Sequence, residues 1–544
     1  MCVHGYRRDR MKKRIFAFLG LLCISLLFVT CGRSSDAVED CNVEASDAKC
    51  DVDERHEAAE YDANNGYNNV TDVYLEIEDG MQMLTYIPRS EFTTEHFLED
   101  LDYMLYVMCN NFGLFDVAYW ARGVNIYAMF EMVRDDVLSN PDMTVDEFYN
   151  VLHQHFLPLE PIGHFQVMPP WMHNFILNEP EGGVFRGYYS IRAQARLREP
   201  HVMAFYEPLY YVAGEHSIWL DAVTQLFGIT EQEMMEQRTY NRLLMRGEYK
   251  MADDFLQAML ASDLSEIMRL ESYINEALSN IVTTRILEDG HIAYLAIDSF
   301  FFRGGFPPDE ERKIHNFYEE IRYFDHLIID LRFNGGGGVG FFHELVLEPN
   351  LSRTHVMEGF AFLTNGEIAM QYAQRIRLMT PLSPSIGEPR SMDTGLRPIA
   401  EILEAYDLPD LNIADMERMV YGFRTETTVR PRRHYPRMCI EPSFQGKIWF
   451  LTSPSMASGA LLSAWTARET GFATLVGDIT GGRYGGVTTI FNMPNSGIAI
   501  TMDIYYVTDR NGRPLEAGTI PDIFNHEGMN ALETVLALIA AWEY

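Results

Sequence analysis

The chain has 544 residues, 47% of them hydrophobic, which is enough for a large core or two domains. Its 78 acidic and 43 basic residues leave a formal charge of −35, a balance that opposes nucleic-acid binding and favours an exposed, solvated body. No CxxC or spaced His/Cys cluster argues for zinc, and no motif calls for a metal or cofactor.

In chain order, Lys12, Lys13 and Arg14 precede an apolar run from Ile15 to Thr30 and then Cys31. A basic segment followed by a run of that length suits a secretory signal over 1–30 better than a spanning helix. Leu27-Phe28-Val29-Thr30-Cys31 resembles a bacterial lipoprotein signal, which implies lipidation of Cys31, a membrane anchor and a place in the cell envelope outside the cytoplasm. An uncleaved N-terminal anchor is the alternative. Residues 31–75 are rich in Asp, Glu, Asn, Ala and Ser and read as an acidic flexible tether. Cys41 and Cys50 could close a small loop there, whereas Cys109 and Cys439 read as isolated core thiols.

Residues 76–168 are expected to form an N-terminal helical subdomain. Leu98, Leu101, Leu105 and Met108 make one helical stripe, and Phe148, Val151, Leu152 and Phe156 another; both suit core packing. From Phe165 to about Pro200 the pattern is β-like or irregular. Within 169–281, Glu231 to Ile281 is again helical, so that segment reads as a mainly helical insertion. Over 282–544 strands and helices alternate as in an α/β sheet, with strands at Ile292–Ile297, Leu327–Leu331, Ile448–Leu451, Thr474–Val476 and Ile498–Val507. The long segment 346–446 within it is a candidate cap.

Two stretches carry the chemistry. His326 to Gly338 reads HLIIDLRFNGGGG, a buried strand ending in a charged pair and four glycines. Such a run lets backbone approach a ligand closely and hold negative charge with its N–H groups, or serves only as a flexible turn. It lacks the Lys and Ser/Thr of a P-loop. Lys447 to Asp478 reads as strand, Ser-rich turn, helix and strand. A serine at the strand-to-helix junction is placed to act as a nucleophile near free backbone N–H groups, or simply to cap the helix.

Together these residues resemble the C-terminal-processing, or tail-specific, serine peptidases, including the tricorn-core branch. Asp330, Leu331, Arg332, Asn334, Gly336 and Gly337 match the D-L-R-x-N-x-G-G strand end, and Gly518-Thr519-Ile520-Pro521-Asp522 matches a later G-x-x-P-D motif. The resemblance implies an α/β mixed-sheet peptidase core behind an N-terminal helical subdomain. Counting back from Val476-Gly477-Asp478, it puts Ser458 at the nucleophile, ahead of Ser453 and Ser455. The lysine of the Ser/Lys branch is replaced by Arg483 in Thr480-Gly481-Gly482-Arg483, and a guanidinium does not serve as a base.

The other branch uses histidine, and Pro161-Ile162-Gly163-His164 stands at its place, so the resemblance makes His164 the base over His153 and His155. It makes Glu516 the group that orients the imidazole, and the N–H groups of Gly336 and Gly459 the oxyanion donors. The implied activity is hydrolysis of peptide bonds in extracytoplasmic peptides or proteins through an acyl-enzyme. A catalytically inactive lipoprotein that binds peptides on the same fold is the alternative. No PDZ counterpart is found, so preference for free C-termini is not implied.

Overall fold

A computed structural model describes residues 87–178, 195–210, 281–302, 306–379, 395–431, 442–484 and 488–542, with parts of 239–270. Cys31, Cys41, Cys50 and Cys439 lie outside these residues. Helix Tyr249–Ala261 belongs to a separate compact unit and buries Ala252 and Phe255. The larger unit holds the remaining elements.

Its N-terminal part is helical, as expected: Thr94–Asn111, Phe115–Arg122, Ile126–Ser139 and Val145–Phe156. Thr144 and Glu147 form a reciprocal capping box at the start of the last helix. Leu101, Met108, Phe148, Leu152 and Phe156 are fully buried, as their stripes require. Cys109 is buried with its thiol against the Tyr127 hydroxyl. The segment after Phe165 departs from expectation. Strand β1 is only Gln166–Val167, and helices run over Pro170–Asn178 and Pro200–Tyr206. Proline opens both, where its fixed φ suits the first helical position and its missing N–H costs nothing.

The central sheet has six strands: β2 (Val282–Glu288), β3 (Ile292–Ile297), β4 (His326–Asp330), β8 (Lys447–Thr452), β9 (Thr474–Gly477) and β13 (Ile523–Phe524). Their order is β13-β9-β8-β4-β3-β2, parallel throughout except for the β2–β3 pair. Helices cover both faces, so the inner strands are continuous apolar runs rather than alternating ones. The segment 346–446 supplies β5 (His355–Leu363), β6 (Arg397–Pro398) and β7 (Tyr421–Val429) to a second, antiparallel sheet with β12 (Tyr506–Asp509).

A third sheet joins β1 to β11 (Ala499–Asp503), which pairs in turn with β10 (Thr488–Asn492). The single strand expected over Ile498–Val507 is therefore two, in different sheets. Gly113 packs against the break, where a Cβ would stand 2.8 Å from both Ile504 O and Tyr506 N.

The D-L-R-x-N motif is a buried frame. Arg332 grips Asp330 through Nε to Oδ1 (2.9 Å) and Nη2 to Oδ2 (2.7 Å), and the Tyr294 hydroxyl donates to the same carboxylate at 2.7 Å. Both members of the pair are almost fully buried. Burial alone would raise the Asp330 carboxyl pKa, but Arg332 outweighs it and holds the value below the usual carboxylate range.

Candidate active site

The site forms where loops leave the carboxyl ends of the adjacent parallel strands β4, β8 and β9, the usual crevice of an open α/β sheet. After β8 the chain turns into helix Gly459–Thr470 through Ser458, which has φ 51° and ψ −122°. Its side chain makes no capping hydrogen bond, so the cap explanation for this serine fails. Ser453 instead donates its hydroxyl to Arg332 O at 2.7 Å, and Ser455 is exposed.

Among the described residues, the non-glycine positions with positive φ are His164, Ser458 and Arg483. Each such backbone costs of order 1–3 kcal/mol and survives only where the surroundings impose it. All three belong to one network. Ser458 N–H donates to Gly482 O (3.3 Å), and the next residue, Arg483, donates its N–H to Glu516 Oε1 (2.8 Å). Gly163 N–H reaches the same oxygen at 3.2 Å, and Tyr484 N–H reaches Oε2 at 2.9 Å. Glu516, 1% exposed, thus ties the turn carrying His164 to the loop packed on Ser458. Burial pushes its carboxyl up to about 7, with the Arg483 N–H pulling the other way.

The group on the His164 imidazole is not Glu516, as expected from the sequence, but Asp503. Its Oδ2 lies 2.8 Å from Nδ1, and the carboxylate is fully buried. The β1–β11 register pairs Gln166 with Thr501, and carried two residues further it sets His164 opposite Asp503. Thr488 donates to the other oxygen, and Asp503 N–H donates to Gly163 O at 2.9 Å. An accepting carboxylate fixes the proton on Nδ1 and leaves the Nε2 lone pair as the basic site. Burial of the ring disfavours the imidazolium, but the charge and hydrogen bond of Asp503 prevail and raise the pKa above its ordinary value. The sequence did carry a signal for Asp503: an acid ending the largely apolar stretch Ile498–Met502, a place where charge is rarely left unpaired.

His153 and His155 are accounted for elsewhere. His153 is buried with Nε2 2.9 Å from the Tyr149 hydroxyl, and burial lowers its pKa to about 4. His155 sits 2.7 Å from Asp136. Arg483 donates through Nε to Glu160 O at 3.0 Å.

The glycine loop lies directly on the Ser458 turn. A Cβ at Gly336 (φ 110°) would meet Ser458 Cβ at 2.7 Å and Gly459 N at 2.9 Å. The Gly336 N–H, however, donates to Asn334 Oδ1 at 2.8 Å, so it is committed within the loop rather than free for an oxyanion. Gly337, also at φ 110°, has its O and N 2.4 and 3.3 Å from the Cβ position of Gly459. No described residue takes the N–H of Gly337 or of Gly459, which opens the helix. Gly336→Ala is expected to displace the Ser458 turn and lose reactivity there while the sheet stays folded, since both its φ and its surroundings exclude a side chain. Unchanged labelling of Ser458 in a folded variant would contradict this packing. Among the described residues no group of three or more His, Cys, Asp or Glu could hold a metal.

Residues 291–524 match the model of peptidase family S41. No curated protein matches the chain. Among solved structures, a Parabacteroides merdae protein described as a peptidase is similar at 13% identity and TM-score 0.42, covering 82% of this chain and 97% of its own. Mature CPAF is similar at 12% identity and TM-score 0.43, with 82% and 95% covered. The photosystem II D1 C-terminal processing protease aligns over 48% of this chain and 52% of its own, at 13% identity and TM-score 0.27. None of these carries residue roles to this chain.

Proposed function

We propose, from the premise that residues 291–524 belong to peptidase family S41, that the chain is a serine peptidase with Ser458 as nucleophile and His164 as base. The observation that carries this reading is the network of strained residues: Ser458 N–H donates to Gly482 O, Glu516 accepts from the Arg483 and Gly163 N–H groups on either side, and His164 is backed by Asp503. Nε2 of His164 takes the Ser458 proton as Oγ attacks the peptide carbonyl, and the proton then passes to the leaving amine. Asp503 assumes the orienting role that the sequence assigned to Glu516, while Glu516 holds the two turns together. The N–H of Gly459 and, in place of Gly336, that of Gly337 are the oxyanion donors. Water then releases the acyl group.

A fluorophosphonate is expected to modify Ser458, located by peptide mapping. Modification at Ser453 or Ser455 would contradict the assignment, and a folded, unreactive protein would favour the peptide-binding alternative.

The proposed setting is the bacterial envelope, with extracytoplasmic peptides or proteins as substrates. It is supported by the basic, apolar and Cys31 pattern. In a bacterium that processes lipoproteins, the protein is expected to carry lipid on Cys31 and fractionate with membranes, and Cys31→Ser to prevent this. A wild-type protein cleaved elsewhere and recovered freely soluble would refute the anchor.

A further inference from the structure

The proposed chemistry leaves the Arg483 side chain without a task, yet the backbone beneath it is strained at φ 62°. The turn is closely packed, because a Cβ at the neighbouring Gly482 would lie 2.2 Å from Glu516 Oε1. The guanidinium is half-buried and fixed by its Nε on Glu160 O. Glu516 binds the backbone N–H of Arg483 and no nitrogen of its guanidinium, and Asp503 is occupied by His164 and Thr488. No described residue accepts from Nη1 or Nη2, and no described acid pairs with Arg483. The turn that carries it packs on the turn of the nucleophile, since the carbonyl of Gly482 accepts the Ser458 N–H. Its charge is also felt at His164, where it disfavours the imidazolium.

A guanidinium whose Nε is engaged still offers the Nη1–Nη2 edge, whose two parallel N–H bonds match a planar carboxylate. We propose that Arg483 is a specificity-determining residue that binds a carboxylate of the substrate within one or two residues of the scissile bond. The site thereby selects peptides bearing an acidic group there, whether the α-carboxylate of a chain end or an Asp or Glu side chain. An extended peptide advances about 3.5 Å per residue, so an acid one or two residues from the cleaved bond stays within roughly 7 Å of it. The proposal rests on the peptidase reading and names the substrate class for it.

The test uses the full chain and matched fluorogenic peptides: one with a free α-carboxylate two residues beyond the cleaved bond, its C-terminal amide, and amides with Asp or Asn at that place. Acidic peptides are expected to exceed neutral ones in kcat/KM by about 10- to 100-fold, the range for hydrogen bonds to a charged group. The free-acid and Asp arms separate the two sources of the carboxylate. Arg483→Gln should bring the ratio toward one, and Arg483→Lys should restore part of it, because an ammonium supplies charge without the fork. A wild type that labels at Ser458 and cleaves acidic and neutral peptides alike overturns the inference, as does full preference retained in Arg483→Gln. The wild-type series decides even if a variant fails to fold. A wild type that neither labels nor cleaves overturns the peptidase reading and this inference with it.

Discussion

His164→Ala is expected to lower kcat/KM by about 10²–10⁴-fold, the contribution of a positioned general base. In the wild type the rate should fall on the acid side as the imidazole takes a proton. That limb should lie above the ordinary histidine value of about 6.5, because Asp503 raises the pKa of His164 despite its burial. The linkage has a definite sign. The raised pKa stabilises the fold fully below about 6.5, and this contribution fades as pH rises through the folded value. Asp503→Asn should lose a comparable factor in rate by releasing the tautomer. It should also move the acid limb to lower pH, since only burial then acts strongly on the ring.

Glu516→Gln should behave differently. An amide nitrogen set against the Tyr484 N–H leaves a buried donor unpaired, at about 1–3 kcal/mol, so stability and rate fall together. The acid limb should shift less than in Asp503→Asn, because Glu516 contributes less to the raised pKa. A pH–rate profile with thermal melts for the three variants checks these outcomes. Near-full activity in His164→Ala would end the histidine scheme.

Asp330→Asn is expected to destabilise the larger unit by about 3–5 kcal/mol, because it removes the carboxylate that the buried Arg332 guanidinium grips with two nitrogens. Replacing both members with apolar residues of similar volume should cost less than the single change, since burying two charges is itself unfavourable. With the Asp330 pKa held low, its stabilisation is present above the ordinary carboxylate range and is lost as pH falls through the folded value. Denaturant unfolding of the single and double variants measures this. A double variant less stable than the single one would refute the account.

Elements with a local signal were legible in the chain. The apolar runs over Ile292–Ile297, Leu327–Leu331 and Ile448–Leu451 became inner strands, and Ser458 came at a strand-to-helix junction. The glycine run pointed to a close backbone approach, and Gly336 and Gly337 make one to Ser458, Gly459 and Phe300. Which acid reaches which group depends on the packed fold. Asp503 and His164 are 339 positions apart, and Glu516 and Gly163 are 353 apart. Neither pairing has a local periodicity to betray it. The register of β1 on β11 places Asp503 on the imidazole, and the break at Ile504–Tyr505 sends the following strand into another sheet. The commitment of the Gly336 N–H to Asn334 was hidden for a related reason. Both residues belong to the motif, but whether an N–H faces inward or toward a substrate depends on the packed loop, because residue identity does not fix the direction of a backbone donor.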